Sequence, residues 1–122
     1  MRREIEGGIQ ATLMDWARLM ENRWPALQLL FHVPNGGARG KAEAGRMKRQ
    51  GVKAGVPDLV LPAARGGYHG LFIELKTETG RPTPEQKEWI RALSEQGYAA
   101  TVCRGLDEAI ETITRYLEGK KI

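Results

Sequence analysis

A chain of 122 residues and 13.6 kDa can bury one sizeable hydrophobic core, and its 41% apolar and 28% charged residues suit a globular domain spanning residues 1–122. No run approaches the ~18 apolar residues of a membrane span, and Met1-Arg2-Arg3-Glu4 has no apolar stretch behind it, as a secretory leader would. The lone Cys103 excludes an internal disulfide and any cysteine-built zinc cluster, so a reducing cytoplasm without membrane attachment is expected.

Ile5, Ile9, Leu13, Ala17 and Met20 recur every three or four residues and predict an amphipathic helix over about 4–22, weakened near its start by Gly7 and Gly8. Glu6 and Gln10 share a face apart from that stripe, and by pattern alone they face solvent. Trp24-Pro25 ends the helix. Leu27 to Val33, apolar and bounded by Pro25 and Pro34, predicts a strand running into the turn Pro34-Asn35-Gly36-Gly37. His32 within it reads as a packed or hydrogen-bonded histidine.

The next segment holds the excess charge. Between Asn35 and Gly55 stand Arg39, Lys41, Arg46, Lys48, Arg49 and Lys53 against Glu43 alone, a balance of +5 in a chain of net +4. Residues 40–50 fit either a short basic helix closed by Gly51 or a Gly-rich loop that orders on its ligand. A basic run of this kind attracts phosphate backbones, although on charge alone a solvated helix face is the simpler account.

Gly55-Val56-Pro57-Asp58-Leu59-Val60-Leu61 and Leu71-Phe72-Ile73-Glu74-Leu75-Lys76 then predict two strands joined by a glycine-rich turn. Thr83-Pro84-Glu85-Gln86 has the form of a capping box opening a helix, with Trp89, Ile90 and Leu93 on its buried face and Gly97 at its end. A strand from Tyr98 to Cys103 follows, and Leu106, Ala109, Ile110, Ile113, Tyr116 and Leu117 define a last helix. The strand–helix–strand crossover implies a parallel pair. The fold class expected is α/β, a small mixed sheet flanked by helices.

Glu-x-Lys is a weak signal by itself, because exposed strands often carry such pairs. Here the strand around it is apolar, which makes a stray Glu and Lys costly, and Asp58 stands at the mouth of the neighbouring strand after a Gly-x-Pro. Alternation puts Glu74 and Lys76 on one face, with Ile73 and Leu75 on the other. Two carboxylates can hold a hard cation such as Mg²⁺, and an ammonium beside them can orient a water or stabilise negative charge.

Asn35-Gly36-Gly37, Gly51-Val52-Lys53-Ala54-Gly55-Val56-Pro57-Asp58-Leu59, Glu74-Leu75-Lys76 and Gln86 together resemble the virus-type replication-repair nucleases, a branch of the PD-(D/E)xK superfamily. The resemblance runs from Glu6 to about Val102 and implies a restriction-endonuclease-like core. It implies that Asp58 and Glu74 ligate a catalytic Mg²⁺ or Mn²⁺, with the backbone carbonyl of Leu75 adding an oxygen, and that Lys76 positions or activates the attacking water. Glu6 resembles the family's helical acid, a ligand for a second metal or for its water, and Gln86 its glutamine beside the site. Asn35 falls where the family has an Asn in its turn. Arg39, Lys41, Arg46, Lys48, Arg49 and Lys53 would grip the DNA backbone. A domain of this size resembles small phage and bacterial members that look like dimeric junction-cleaving enzymes. The implied activity is structure-specific cleavage of branched, Holliday-junction-type DNA by a homodimer. A monomeric nicking or flap nuclease, or a DNA-binding module whose acids are structural, would share the same sequence features.

Overall fold

The computed structural model describes residues 2–34 and 40–122. Helix α1 (Arg2–Leu19) is followed by a 3-10 helix (Pro25–Leu29), strand β1 (Phe31–His32) and helix α2 (Lys41–Arg49). Then come β2 (Leu59–Leu61), β3 (Leu71–Lys76), α3 (Pro84–Glu95), β4 (Ala99–Arg104) and α4 (Leu106–Leu117). The four strands form one mixed sheet in the order β1-β2-β3-β4, antiparallel at its first two pairings and parallel between β3 and β4. The crossover through α3 is the parallel connection expected.

One face of that sheet meets α1 and α4. Leu59 and Leu61 from β2, Leu71, Ile73 and Leu75 from β3, and Ala99 and Cys103 from β4 pack in one cluster with Leu13 and Ala17 of α1 and with Ala109, Ile113, Tyr116 and Leu117 of α4. Each fully buried Leu or Ile there contributes on the order of 1.5–3 kcal/mol. Tyr116 is buried with the rest, and its hydroxyl donates to the carbonyl of Ala63 at 2.6 Å. Alternation sends Phe72, Glu74 and Lys76 to the other face.

The predicted strand over Leu27–Val33 is the main correction. Pro25 starts a 3-10 helix, and only Phe31 and His32 are left to pair with Val60 and Leu59. Leu27 and Leu30, three apart, are buried, whereas Gln28, Leu29, Phe31 and His32 are exposed. That period of three suits a 3-10 turn, and an apolar run this short does not distinguish helix from strand. The first helix also starts earlier than its apolar stripe, at Arg2, and stops at Leu19.

Between the two readings of the basic segment, the structure gives a helix. α2 ends in a Schellman motif: the Gly51 amide donates to Lys48 and the Val52 amide to Met47, with Gly51 at φ +105°. None of its residues is buried.

Candidate active site

Asp58 is placed by three strands. Extending the β2–β3 register, in which Leu59 faces Ile73 and Val60 faces Phe72, sets Asp58 opposite Glu74. The backbone ladder stops there, since Pro57 has no N–H to donate. The Asp58 carboxylate takes over one of its places: Oδ2 accepts the Leu75 amide at 2.8 Å. On the other side, the Asp58 carbonyl accepts the Val33 amide at 2.7 Å, with His32 Nδ1 at 3.2 Å. Asp58 is thus fixed at main chain and side chain.

The approach to it is pinned as well. Gly55 has φ +87°, and a Cβ there would stand 2.7 Å from the Glu85 carbonyl carbon, so the chain passes against the first turn of α3 in a conformation that favours glycine. One turn further along α3, Trp89 donates from Nε1 to the Ala54 carbonyl at 3.0 Å. Sequence periodicity assigned Trp89 to a buried face; it is only half-buried, and its indole N–H holds the loop that delivers Asp58. An aromatic residue on an apolar stripe gives no sign of that second task.

Glu74 and Lys76 project from the same face of β3 and are 2% and 9% exposed. Their ion pair spans 3.3 Å, from Lys76 Nζ to Glu74 Oε2. Glu74 Oε1 is buried and, among the described residues, has no hydrogen-bond partner. Burial first, and the Asp58 carboxylate second, push the Glu74 carboxyl up from 4.5 to about 8 despite the opposing pull of Lys76. Two acids and one lysine therefore share a largely buried patch that carries more negative character than its own lysine relieves. An unsatisfied carboxylate oxygen in such a place is costly unless something cationic fills it.

The other expected site residues are spread more widely. Gln86 Oε1 accepts the Thr83 amide at 2.8 Å while Thr83 Oγ1 accepts the Gln86 amide at 3.1 Å, the full capping box that opens α3. Leu75 is tied to the site through its amide. Glu6 stands half-buried within the early turns of α1. Among the described residues no group of three or more His, Cys, Asp or Glu side chains converges, so Glu6 is not gathered with Asp58 and Glu74. Lys41, Arg46, Lys48 and Arg49 lie on exposed α2, and Lys53 is exposed in the loop after it. Asn35 and Arg39 lie outside the described residues.

The joint pattern of Gly-Val-Pro-Asp, Glu-Leu-Lys and a following capped helix now has coordinates, and a model of the VRR-NUC domain matches residues 1–107. The chain belongs to the VRR-NUC domain family. A solved "VRR_NUC domain protein" superposes with a TM-score of 0.81 at 38% sequence identity, over 95% of this chain and 90% of that one. Comparison with curated proteins finds no match. The mixed sheet with flanking helices is the VRR-NUC, nuclease-like architecture, and no helix among the described residues is long and apolar enough to cross a membrane.

Proposed function

We propose that this VRR-NUC chain is a divalent-metal-dependent DNA endonuclease whose reaction centre is Asp58, Glu74 and Lys76. The observation that carries the reading is Glu74 Oε1, buried without a partner among the described residues and beside a second carboxylate. Oxygen donors of this kind suit Mg²⁺ or Mn²⁺, which keep water among their ligands and need few protein oxygens. Asp58 and Glu74 would hold the cation, with the Leu75 carbonyl a third oxygen; when bound, it supplies Lewis-acid charge neutralisation at the phosphate and lowers the pKa of water.

The chain's own residues supply the rest. The Leu75 amide orients the Asp58 carboxylate. Lys76, paired to Glu74 and largely dry, holds a water in line with the phosphorus and offers positive charge to the phosphoryl oxygens as they gain negative charge. Glu6 and Gln86 are accessory members of the site on the strength of the resemblance to the family's helical acid and its glutamine. Lys41, Arg46, Lys48, Arg49 and Lys53, with Arg39 and Asn35, attract the flanking backbone without reading bases. The substrate proposed is branched DNA and the working unit a homodimer, on the strength of the resemblance to small junction-cleaving members.

The test is a cleavage assay on labelled single-stranded, duplex, flap and four-way DNA with Mg²⁺, Mn²⁺ or EDTA. Metal-dependent cleavage is expected, with paired incisions on opposite strands of the four-way substrate and a dimer by light scattering. Lys76→Ala should bind DNA but not cut it. Full Mg²⁺-dependent activity in that variant would remove Lys76 from the mechanism, and cleavage of single strands alone would remove the junction reading.

A further inference from the structure

Beyond the carboxylates, the polypeptide turns back on itself. Thr77 and Gly80 close a tight turn in which the Gly80 amide lies 3.1 Å from both the Thr77 carbonyl and Thr77 Oγ1. A Cβ on Gly80 would stand 3.3 Å from the Lys76 Cβ, so this turn is packed directly on the proposed catalytic lysine. It forms one wall of a cleft of about 460 Å³ lined by Glu78, Thr79, Gly80, Arg81, Pro82, Lys87 and Arg104.

Three cations from three different elements converge there: Arg81 from the loop, Lys87 from the first turns of α3, and Arg104 from the end of β4. All three are exposed, and among the described residues none of their side chains has a hydrogen-bond or ion-pair partner. Glu78 is the only acid among the described residues of the lining, leaving these at +2. The position is equally specific. Arg104 is the register partner of Lys76 on the parallel strand, about one strand spacing, ~4.8 Å, away and on the same face.

We infer that this cleft holds a backbone phosphate of the bound nucleic acid next to the one that is cut, gripped by Arg81, Lys87 and Arg104. The inference rests on the nuclease reading above for its ligand. Guanidinium groups match phosphate oxygens in a bidentate fork, and lysine adds a point charge. A contact to the backbone sets the register of the strand against Lys76 and carries no sequence information of its own. This grip differs from that of α2 in being built on the turn that follows β3 and on β4, the strand paired with it at Lys76.

Binding of a short fluorescein-labelled oligonucleotide, single-stranded and duplex, is measured by anisotropy in EDTA over a range of salt, so that no cleavage intervenes. The triple variant Arg81→Gln/Lys87→Gln/Arg104→Gln is expected to bind about tenfold more weakly, its log K against log salt slope smaller by about 2 to 3. The control is Arg115→Gln/Lys120→Gln/Lys121→Gln, which removes equal charge near Gly119, where the chain abuts Gly66 at the other end of the β2–β3 unit. It should match the wild type within about twofold. An unchanged melting temperature in the cleft variant excludes unfolding as the cause, and Lys87→Arg, which keeps the charge, should retain affinity. A cleft variant that binds no worse than the control overturns the proposal, even if metal-dependent cleavage is intact. Wild-type protein that binds DNA and never cuts it would sink the nuclease reading while leaving the cleft to be judged by the same binding data.

Discussion

The β2–β3 pair and helix α2 both concentrate charge, and they hold it in opposite ways. On β3, Glu74 and Lys76 are buried, paired with each other and crowded by Asp58. On α2, Lys41, Arg46, Lys48 and Arg49 stand in solvent on a helix that buries nothing. Buried charge costs several kcal/mol per ion unless compensated. Exposed charge costs almost nothing and is screened beyond about 10 Å at 0.1 M salt. The fold thus places short-range, geometry-dependent chemistry on the sheet and long-range attraction on a helix that can vary without disturbing the core.

The sharpest break of this contrast comes from Glu74. Glu74→Gln should lower cleavage at least about a hundredfold, comparable to losing one strong electrostatic contact to the transition state. It should also stabilise the metal-free protein at neutral pH and above. The sign follows from the raised carboxyl: the folded state, near 8, holds a proton that the unfolded state, near 4.5, has released. Folding stability in EDTA is therefore highest below about pH 4.5 as far as this group is concerned, and falls as pH rises through 8. The loss across the whole window is on the order of 5 kcal/mol. Thermal melts across that window should show the slope in the wild type, a flat profile in Glu74→Gln, and a reduced slope when Mg²⁺ or Mn²⁺ is added. A wild-type profile as flat as the variant's would mean that Glu74 is not the strained group described.

Gly55→Ala tests how far the sheet site depends on its approach loop. The new methyl meets Glu85 at under 3 Å, and φ +87° is unfavourable for alanine, so a loss of roughly 2 kcal/mol is expected in denaturant unfolding. Cleavage should fall further than stability alone explains, because Asp58 lies three residues on.

Removing the charge of α2 should behave in the opposite sense. Lys41→Gln/Arg46→Gln/Lys48→Gln/Arg49→Gln should weaken DNA binding about tenfold at low salt and reduce the salt slope. The melting temperature should hardly move, since surface changes of this kind stay within about 0.5 kcal/mol each. Equal binding of this variant and the wild type would confine nucleic-acid attraction to the sheet end of the molecule.

Much of this division was legible from residues alone. Alternation along Leu71–Lys76 separates the acid-and-lysine face from the core face, and the Thr83–Gln86 capping box and the glycines after α2 and α3 mark their helix ends. The Gly-Val-Pro-Asp run locates the edge of β2 because proline ends the ladder where Asp58 must take it over. What could not be read depends on packing between distant segments. The 3-10 turn at Pro25 shows itself only through which leucines find the core. Arg81, Lys87 and Arg104 lie apart in the chain and share a cleft only because β4 returns beside β3. Glu6 was expected at the reaction centre, but helical position alone does not fix how α1 meets the sheet edge, and here it stands away from the pair.

The smallest expected effect concerns the indole that holds the approach loop. Trp89→Phe keeps most of the aromatic surface and deletes only the donor to the Ala54 carbonyl, a single exposed hydrogen bond of 3.0 Å. Its loss should cost about 1 kcal/mol or less. If the bond serves only stability, cleavage by the folded variant will be unchanged. If it holds Asp58 in line, as the geometry of Ala54, Gly55 and Glu85 suggests, the variant will cut more slowly at saturating DNA while binding it normally in EDTA. The same split in Gly55→Ala and not in the α2 variant would tie the loop to the chemistry of the sheet rather than to the attraction of the helix.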